Sequence, residues 1–595
     1  MRVLFKTSYT QDLELFRDGV QRNWYAALLV GLLIVPLLVP SYLVDISLVF
    51  IYGLCGLSLM VLAGYTGLVS LGHAAFLGIG AYAHVYFVHD WGLPWVVSVA
   101  LACVVTAAAG VLVGLPALRM TGVYLSIATL AFALIIQEIL TRWERVTGGL
   151  KGKPVDKPVI FGVNLGGDVA FYFLSLAFLI GGLWFTGNLL RAPTGRAWVA
   201  IRDSEIAAQS MGVNLAVYKT IAFAYSAALM GIAGALFAHK IGFLAPETFS
   251  VLLSIQFLLM VVVGGLGSLH GAFYGAVFVA LLPVAISQAR DSMPAWIGAV
   301  AGLFGKDAGG ATSQAPALLL DLPALQARYL PAPEDLHAVG AAAVSLLSVE
   351  GLVMEFGGVR AVADVTFAVE PGEVFTIIGP NGAGKTTIFN VISRIYDPTL
   401  GRLVFDGEDI TGVPPHEIAR CGIARTFQNI ELFEHASVLQ NLLLGRHAHK
   451  RSGFVEEMLF LPRVRALEIE HRDAVEQVID FLDLQPHRDS LVVNLSYGVR
   501  KVVEMARALC TRPKLLLLDE PSSGLSVEET ADMAFWIQDI RTMLGITVLM
   551  VEHDMSLVSA VSDRVLAVNY GRAIALGTAR EVQEHPDVIT AYLGG

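Results

Sequence analysis

Residues 374–389 read VFTIIGPNGAGKTTIF. An apolar run with the look of a buried strand leads into Gly379-Pro380-Asn381-Gly382-Ala383-Gly384-Lys385-Thr386, and the residues from Thr387 onward read as a helix. Strand, loop and helix in this order, with GxxxxGK(S/T) spacing, form a phosphate-binding loop. Glycines allow the dihedrals that curl backbone N–H groups round phosphates. The helix N-terminus adds the positive end of its dipole. The candidate nucleotide contacts are Gly379, Asn381, Gly382, Gly384, Lys385, Thr386 and Thr387. In this arrangement Lys385 neutralises the β- and γ-phosphates and the Thr386 hydroxyl binds Mg²⁺.

The rest of the chain is of another character. The whole chain's 595 residues are too many for one core, and 55 % are hydrophobic and only 15 % charged, where a soluble chain carries roughly a quarter charged residues. The mean hydropathy of +0.65 places much of it in lipid. A net charge of −11 argues against a nucleic-acid binder. Cys55, Cys103, Cys421 and Cys510 show no CxxC spacing, so neither a zinc site nor a disulfide framework is expected. The first 25 residues are charged, with no apolar core and small-residue cleavage site, and read as a cytoplasmic leader.

Long apolar runs occupy 25–39, 43–63, 74–88, 96–115, 123–140, 171–185, 220–238, 251–263 and 272–286. With about 20 residues needed per span, the expected number is about eight to ten, with the short runs open to being re-entrant or broken. The loop carrying Arg191, Arg196, Arg202 and Lys219 is basic and belongs on the cytoplasmic side. Gly267, Gly271 and Gly275, and Ala227, Gly231 and Ala235, repeat at the four-residue spacing of close helix packing in lipid. The fold class is a polytopic α-helical membrane domain followed by an α/β P-loop domain. The expected division is a membrane domain at 1–288, an Ala/Gly/Pro-rich linker at 289–344 and a nucleotide-binding domain at 345–595.

Four further motifs lie in the last unit. Residues 514–521 read KLLLLDEP, an apolar strand ending in two carboxylates: Asp519 suits the Mg²⁺ shell, and Glu520 can polarise an attacking water. Arg425-Thr426-Phe427-Gln428 precedes an acidic, apolar stretch; Asn494-Leu495-Ser496-Tyr497-Gly498 precedes a helix; residues 548–554 read VLMVEHD. In this order the motifs resemble the ABC ATPase family over about residues 346–595. The resemblance implies that Phe356 stacks on adenine and that Gln428 senses Mg²⁺ and the coupling surface. It implies that His553 meets the γ-phosphate, and that Ser496, Tyr497 and Gly498 complete the ATP site of a second ATPase domain. Plainer readings make Phe356 a core aromatic, His553 a satisfied loop histidine and Gln428 a surface amide. The family signature usually has Gln where this chain has Val499.

In the membrane half, GYTGLVSLGHAAFLGIGAY (64–82), LPALRMTGVYLSIATLA (115–131), TGGLKGK (147–153) and VVVGGLGSLHG (261–271) resemble the membrane subunit of branched-chain amino-acid type ABC importers. RTFQNIELF, LSYG and DEPSSGL resemble the ATPase of the same system. The resemblance implies ATP-driven uptake of branched-chain amino acids or related small polar solutes, with urea or amides as the alternative. It implies ATP and Mg²⁺ as cofactors, a second permease, a second ATPase and an extracytoplasmic solute-binding protein as partners, and the cytoplasmic (inner) membrane as location. An exporter and a membrane ATPase without transport are the rival classes. Residues 205–212, EIAAQSMG, resemble the importers' coupling segment, with Glu205 and Gly212 at its ends, fit to plug into a groove beside Gln428; an ordinary surface helix is the plainer reading. Asp45 is expected at a helix end. Thr66, Ser70 and His73 either line a translocation path or bond backbone in a broken helix. The family's last permease helix is interrupted here, with 294–304 short and 317–330 broken by Asp321, Pro323 and Arg328.

Overall fold

The computed structural model describes residues 9–14, 19–120, 122–160, 162–282 and 345–593. The expected linker, and the segments 294–304 and 317–330 assigned to a remodelled last helix, lie outside the described residues.

Among the described residues, six helices are long and apolar enough to cross a membrane: Gly19–Leu38, Pro40–Tyr65, Trp95–Ala117, Val123–Arg142, Asp168–Arg191 and Leu215–Ile241. At 20 to 27 residues they reach about 30–40 Å, a bilayer core with room for tilt. This is fewer than the apolar runs suggest. The runs at 74–88, 251–263 and 272–286 fall on shorter helices, His73–His89, Val251–Gly264 and Leu269–Leu282. Composition counts apolar residues but does not see where the chain turns, here at the Gly- and Ser-containing segments before His73 and Leu269. Asp45 sits in the first turn of Leu43–Leu59, where a carboxylate faces the helix N-terminus.

Two of the six form the centre. Pro40–Tyr65 is 83 % buried over its apolar window and Leu215–Ile241 78 %, against 6–39 % for the other four. Small residues explain how the neighbours approach. A Cβ on Gly80 would lie 2.5 Å from Gly231 Cα, one on Gly234 2.3 Å from the Leu77 carbonyl oxygen, and one on Gly110 2.6 Å from Ala227 Cβ. The 227–231–235 ladder thus lets His73–His89 and Trp95–Ala117 press on Leu215–Ile241 backbone to backbone. The second ladder joins the two short helices: a Cβ on Gly275 would lie 1.9 Å from the Met260 carbonyl oxygen.

The turn before His73 is knitted by its own polar groups. Thr66 Oγ1 donates to the Val61 carbonyl at 2.8 Å, Gly72 N–H donates to Ser70 Oγ at 3.2 Å, and His73 Nε2 lies 3.0 Å from Ser226 Oγ. Ser226 in turn exchanges hydrogen bonds with Ser58. In lipid a broken helix needs such internal partners for its freed polar groups. Thr66 and Ser70 thus bond backbone, while His73 meets the Ser226 side chain.

The second half holds two sheets. A six-stranded sheet runs in spatial order Ile423–Arg425, Leu515–Asp519, Thr547–Val551, Val374–Ile378, Arg564–Asn569, Arg572–Gly577. It is parallel except for the last pair. Its central strands are buried on both faces, which is why they read as unbroken Leu and Val runs. A four-stranded antiparallel sheet, Val359–Val369, Leu347–Phe356, Leu400–Phe405, Glu408–Asp409, packs against it. The carboxyl ends of Val374–Ile378 and Leu515–Asp519 deliver the phosphate loop and the paired carboxylates to one edge, where ligands bind in open α/β sheets.

Replacing Gly80 by Val should push His73–His89 away from Leu215–Ile241. We expect about 1–3 kcal/mol of lost stability, read as a lower melting temperature of the full chain in detergent, with Gly19→Val, which meets open space, unchanged.

Candidate ATP site and its coupling interface

The loop after Val374–Ile378 needs glycine for two separate reasons. Gly384 has φ +98°, and a Cβ there would meet the Ala361 carbonyl oxygen at 2.5 Å. A Cβ on Gly379 would lie 2.1 Å from the Val568 carbonyl oxygen. Asn381 and Gly382 are exposed at the loop tip, while Thr386 and Thr387 are half-buried in the first turn of Lys385–Ile392. Lys385 is buried, and its ammonium folds onto the loop, donating to the Gly379 carbonyl at 2.7 Å and the Pro380 carbonyl at 3.1 Å. Burial pushes that ammonium down while Glu520 and Asp519 act against it.

The carboxylates are held differently. Arg425 Nη2 donates to Asp519 Oδ2 at 2.8 Å, and its Nη1 reaches Asn390 Oδ1 at 2.7 Å and Ser393 Oγ at 2.8 Å. Asp519 Oδ1 is buried and has no hydrogen-bond partner among the described residues. Burial pushes the Asp519 carboxyl up, with Arg425 opposing. Glu520 has φ +49°, a left-handed backbone that costs a non-glycine residue free energy. Its carboxylate accepts from Gln428 Nε2 at 3.0 Å and lies 4.0 Å from His553 Nδ1. Gln428, Glu520 and His553 therefore converge, as the motif order suggests. Phe356 is 41 % exposed and meets Tyr396 edge to face at 5.2 Å between ring centroids, so it is no core residue.

The signature residues lie at the surface end of Tyr497–Leu509. Ser496 and Tyr497 are exposed, and Ser496 Oγ caps the helix by accepting from Val499 N–H. That contact uses the backbone, so Val499 preserves it. A Cβ on Gly498 would lie 2.1 Å from Glu529 Oε1, so that flexible carboxylate would have to move aside.

Several charged residues were not legible as part of the site. Glu552, fully buried, accepts from the N–H groups of Ser522, His553 and Asp554 and so fixes the loop bearing His553. Arg425 was visible only as a neighbour of Gln428. A charge flanked by strand-forming residues was the signal for both.

The basic membrane-side loop meets the nucleotide-binding half. Arg196 forms a two-pronged pair with Glu468, at 2.6 and 2.9 Å. Thr194 N–H donates to Glu457 at 2.9 Å, and Lys450 pairs with Glu457 and donates to Tyr218. Ala208, Met211 and Val213 join a buried cluster with Phe433, Ala436 and Leu444. Gly212 faces Ala448, whose Cα would lie 3.1 Å from an added Cβ. Glu205 turns the other way, to Lys219 of the membrane half at 2.7 Å. The groove is thus built beyond Gln428 in the chain; the Gln428 amide itself points to Glu520. The leader also docks here, with Asp12 bonded to Arg488 at 2.7 Å.

An α/β unit with a phosphate loop and converging Gln, Glu and His, docked under a bundle of apolar helices, defines a membrane transporter's permease and its ABC ATPase in one chain. Comparison with known proteins agrees in both halves. Residues 42–304 match the family model described as branched-chain amino acid transport system / permease component, and residues 362–523 that of the ABC transporters. Residues 574–595 match a model described as branched-chain amino acid ATP-binding cassette transporter. The high-affinity branched-chain amino acid transport ATP-binding protein BraF of Pseudomonas aeruginosa is 42 % identical over 249 residues, 98 % of that protein and 42 % of this chain. The corresponding LivG of Escherichia coli is 41 % identical over the same shares. A solved nucleotide-free ATP-binding cassette from an ABC transporter is 32 % identical and is covered in full by 42 % of this chain, with a TM-score of 0.38. The chain belongs to the branched-chain amino acid ABC transporters, and its second half is an ATP-binding domain that hydrolyses ATP.

Burial alone would raise the Glu468 carboxyl, but the Arg196 and Arg472 guanidiniums outweigh it and hold it at about 2. A depressed carboxylate stabilises the fold above its unfolded value, so this contribution is complete above about pH 5 and fades as pH falls towards about 2. Arg196→Ala should cost about 3 kcal/mol at neutral pH and move the onset of acid loss to higher pH, read by thermal unfolding of the full chain across pH.

Proposed function

We propose that this chain is the fused permease–ATPase subunit of an importer that uses ATP to carry branched-chain amino acids across the cytoplasmic membrane. The observation that carries this reading is the docking of the basic permease loop, through Arg196–Glu468 and the Met211–Phe433 cluster, onto the ATPase half. The division at 1–288, 289–344 and 345–595 gives permease, linker and ATPase, with the ATPase in the cytoplasm. A second permease, a second ATPase and an extracytoplasmic solute-binding protein complete the transporter.

In the ATP site, Gly379, Asn381, Gly382, Gly384 and Thr387 cradle the phosphates, Lys385 swings from its loop carbonyls to the β- and γ-phosphates, and Phe356 supports adenine. Glu520 polarises the attacking water, and His553 holds the γ-phosphate in line. Ser496, Tyr497 and Gly498 close the partner's site. The residues present fit Mg²⁺: among the described residues Asp519 Oδ1 is buried without a partner while Arg425 occupies Oδ2, and Asp519, Thr386 and Gln428 would hold the ion. Bound there, Mg²⁺ neutralises charge on the β- and γ-phosphates. Glu205, braced by Lys219, and Gly212, seated on Ala448, pass ATPase closure to the membrane helices.

Arg425→Met frees Asp519 to rotate, and we expect the Mg²⁺ concentration for half-maximal ATPase to rise about tenfold or more, with Mn²⁺ binding followed by electron paramagnetic resonance falling in step. The transport reading is tested with the complete transporter in liposomes. Leucine-loaded binding protein should stimulate ATP hydrolysis, and Glu520→Gln should abolish it. Stimulation only by a urea- or amide-loaded protein moves the substrate assignment. Hydrolysis indifferent to any binding protein rejects import.

A further inference from the structure

The helix Tyr497–Leu509 carries the signature that faces a partner's ATP, yet three of its charged side chains turn inward. Lys501, Glu504 and Arg507 recur every third residue, along one face of the helix, and are 4 %, 1 % and 0 % exposed. All three grip the main chain around Gln428. Lys501 Nζ donates to the Gln428 carbonyl at 3.3 Å. Glu504 Oε1 accepts from Phe427 N–H at 3.2 Å and Glu431 N–H at 3.4 Å, and Arg507 Nη1 donates to the Glu431 carbonyl at 2.6 Å.

Lys501 does one thing more. Its ammonium also donates to the carbonyl of Glu520 at 3.3 Å. Glu520 occupies a left-handed backbone, which persists only when surrounding bonds over-determine it. Its N–H is fixed to the Val551 carbonyl at 2.9 Å, and Lys501 holds its other end. One buried cation therefore spans the signature helix, the Gln428 loop and the catalytic carboxylate's own peptide.

We propose that Lys501 is a positioning residue that ties the signature helix to Gln428 and Glu520 of the same cassette, so that seating of Ser496 and Gly498 on a partner's nucleotide is felt at this chain's own hydrolytic carboxylate. The two ATP sites of the assembled transporter are coupled through this ammonium. The inference rests on Glu520 acting as proposed above. It predicts that ATP hydrolysis by the complete transporter in nanodiscs depends sigmoidally on ATP concentration.

Lys501→Met should lower kcat about tenfold, the loss expected for a charged hydrogen bond. It should also bring the Hill coefficient down to about 1, while fluorescent mant-ATP without Mg²⁺ binds within about twofold of wild type. Lys501→Arg, which keeps the donor and charge, should restore both kcat and sigmoidicity. A Lys501→Met transporter with wild-type kcat and Hill coefficient overturns the proposal. So does loss of mant-ATP binding together with activity, unrepaired by Lys501→Arg, because that marks a purely structural role. Glu520→Gln separates the two levels: if it hydrolyses ATP like wild type, the reading of Glu520 falls with this one, whereas an inactive Glu520→Gln beside an unaffected Lys501→Met rejects Lys501 coupling alone.

Discussion

Glu468 is held by two guanidiniums that come from opposite halves of the protein, Arg196 from the membrane loop and Arg472 from its own helix. A carboxylate so deeply buried could not remain charged without both. Its geometry fixes where the loop sits, and the loop in turn places Met211 and Val213 against Phe433 and Leu444. Among the described residues, further contacts between the halves join Asn188 to the Met458 carbonyl and Asn214 to His416. The interaction is specific more than strong: removing either arginine strands a charge, while the intact trio gains little over a well-packed apolar contact.

The same economy of polar contact runs through the membrane half. With water absent, a break in a helix is tolerated only where side chains supply partners. Ser58, Ser226, Thr66 and His73 do so at the turn beside the central helix. Glycine and alanine then allow backbones to close to contact, as at Gly80 and Gly231. The hydrophobic effect contributes little between helices already in lipid, so close fit and satisfied hydrogen bonds decide the arrangement.

Much of this was readable from residue order. The phosphate loop is legible because only glycine meets its steric demands, and Asp519-Glu520, weak evidence alone, because the pair ends an apolar strand that follows that loop in the chain. The side on which the basic loop lies was legible from its positive charge, and the segment 205–212 stood out only by its resemblance to the importers' coupling segment. The number of spans among the described residues was not legible, since apolar composition does not show that the runs at 74–88 and 251–263 form helices shorter than the six that can cross. The inward face of Tyr497–Leu509 was hidden for a different reason. Lys501, Glu504 and Arg507 look like the solvated side of an amphipathic helix, and only the position of the Gln428 loop turns that side into an interior. Periodicity shows that a helix has two faces and leaves open which of them meets water.

The docking surface between the halves is largely polar, built from ion pairs such as Arg196–Glu468 and Lys450–Glu457 around one modest apolar cluster. Separate subunits joined by such a surface would need high affinity to stay assembled through repeated cycles of strain. Covalent continuity removes that need, because a tethered ATPase meets its permease at an effective concentration of order millimolar. The interface need not hold the two halves together by its own affinity, and the one-to-one ratio of ATPase to permease is set by translation, not by mass action.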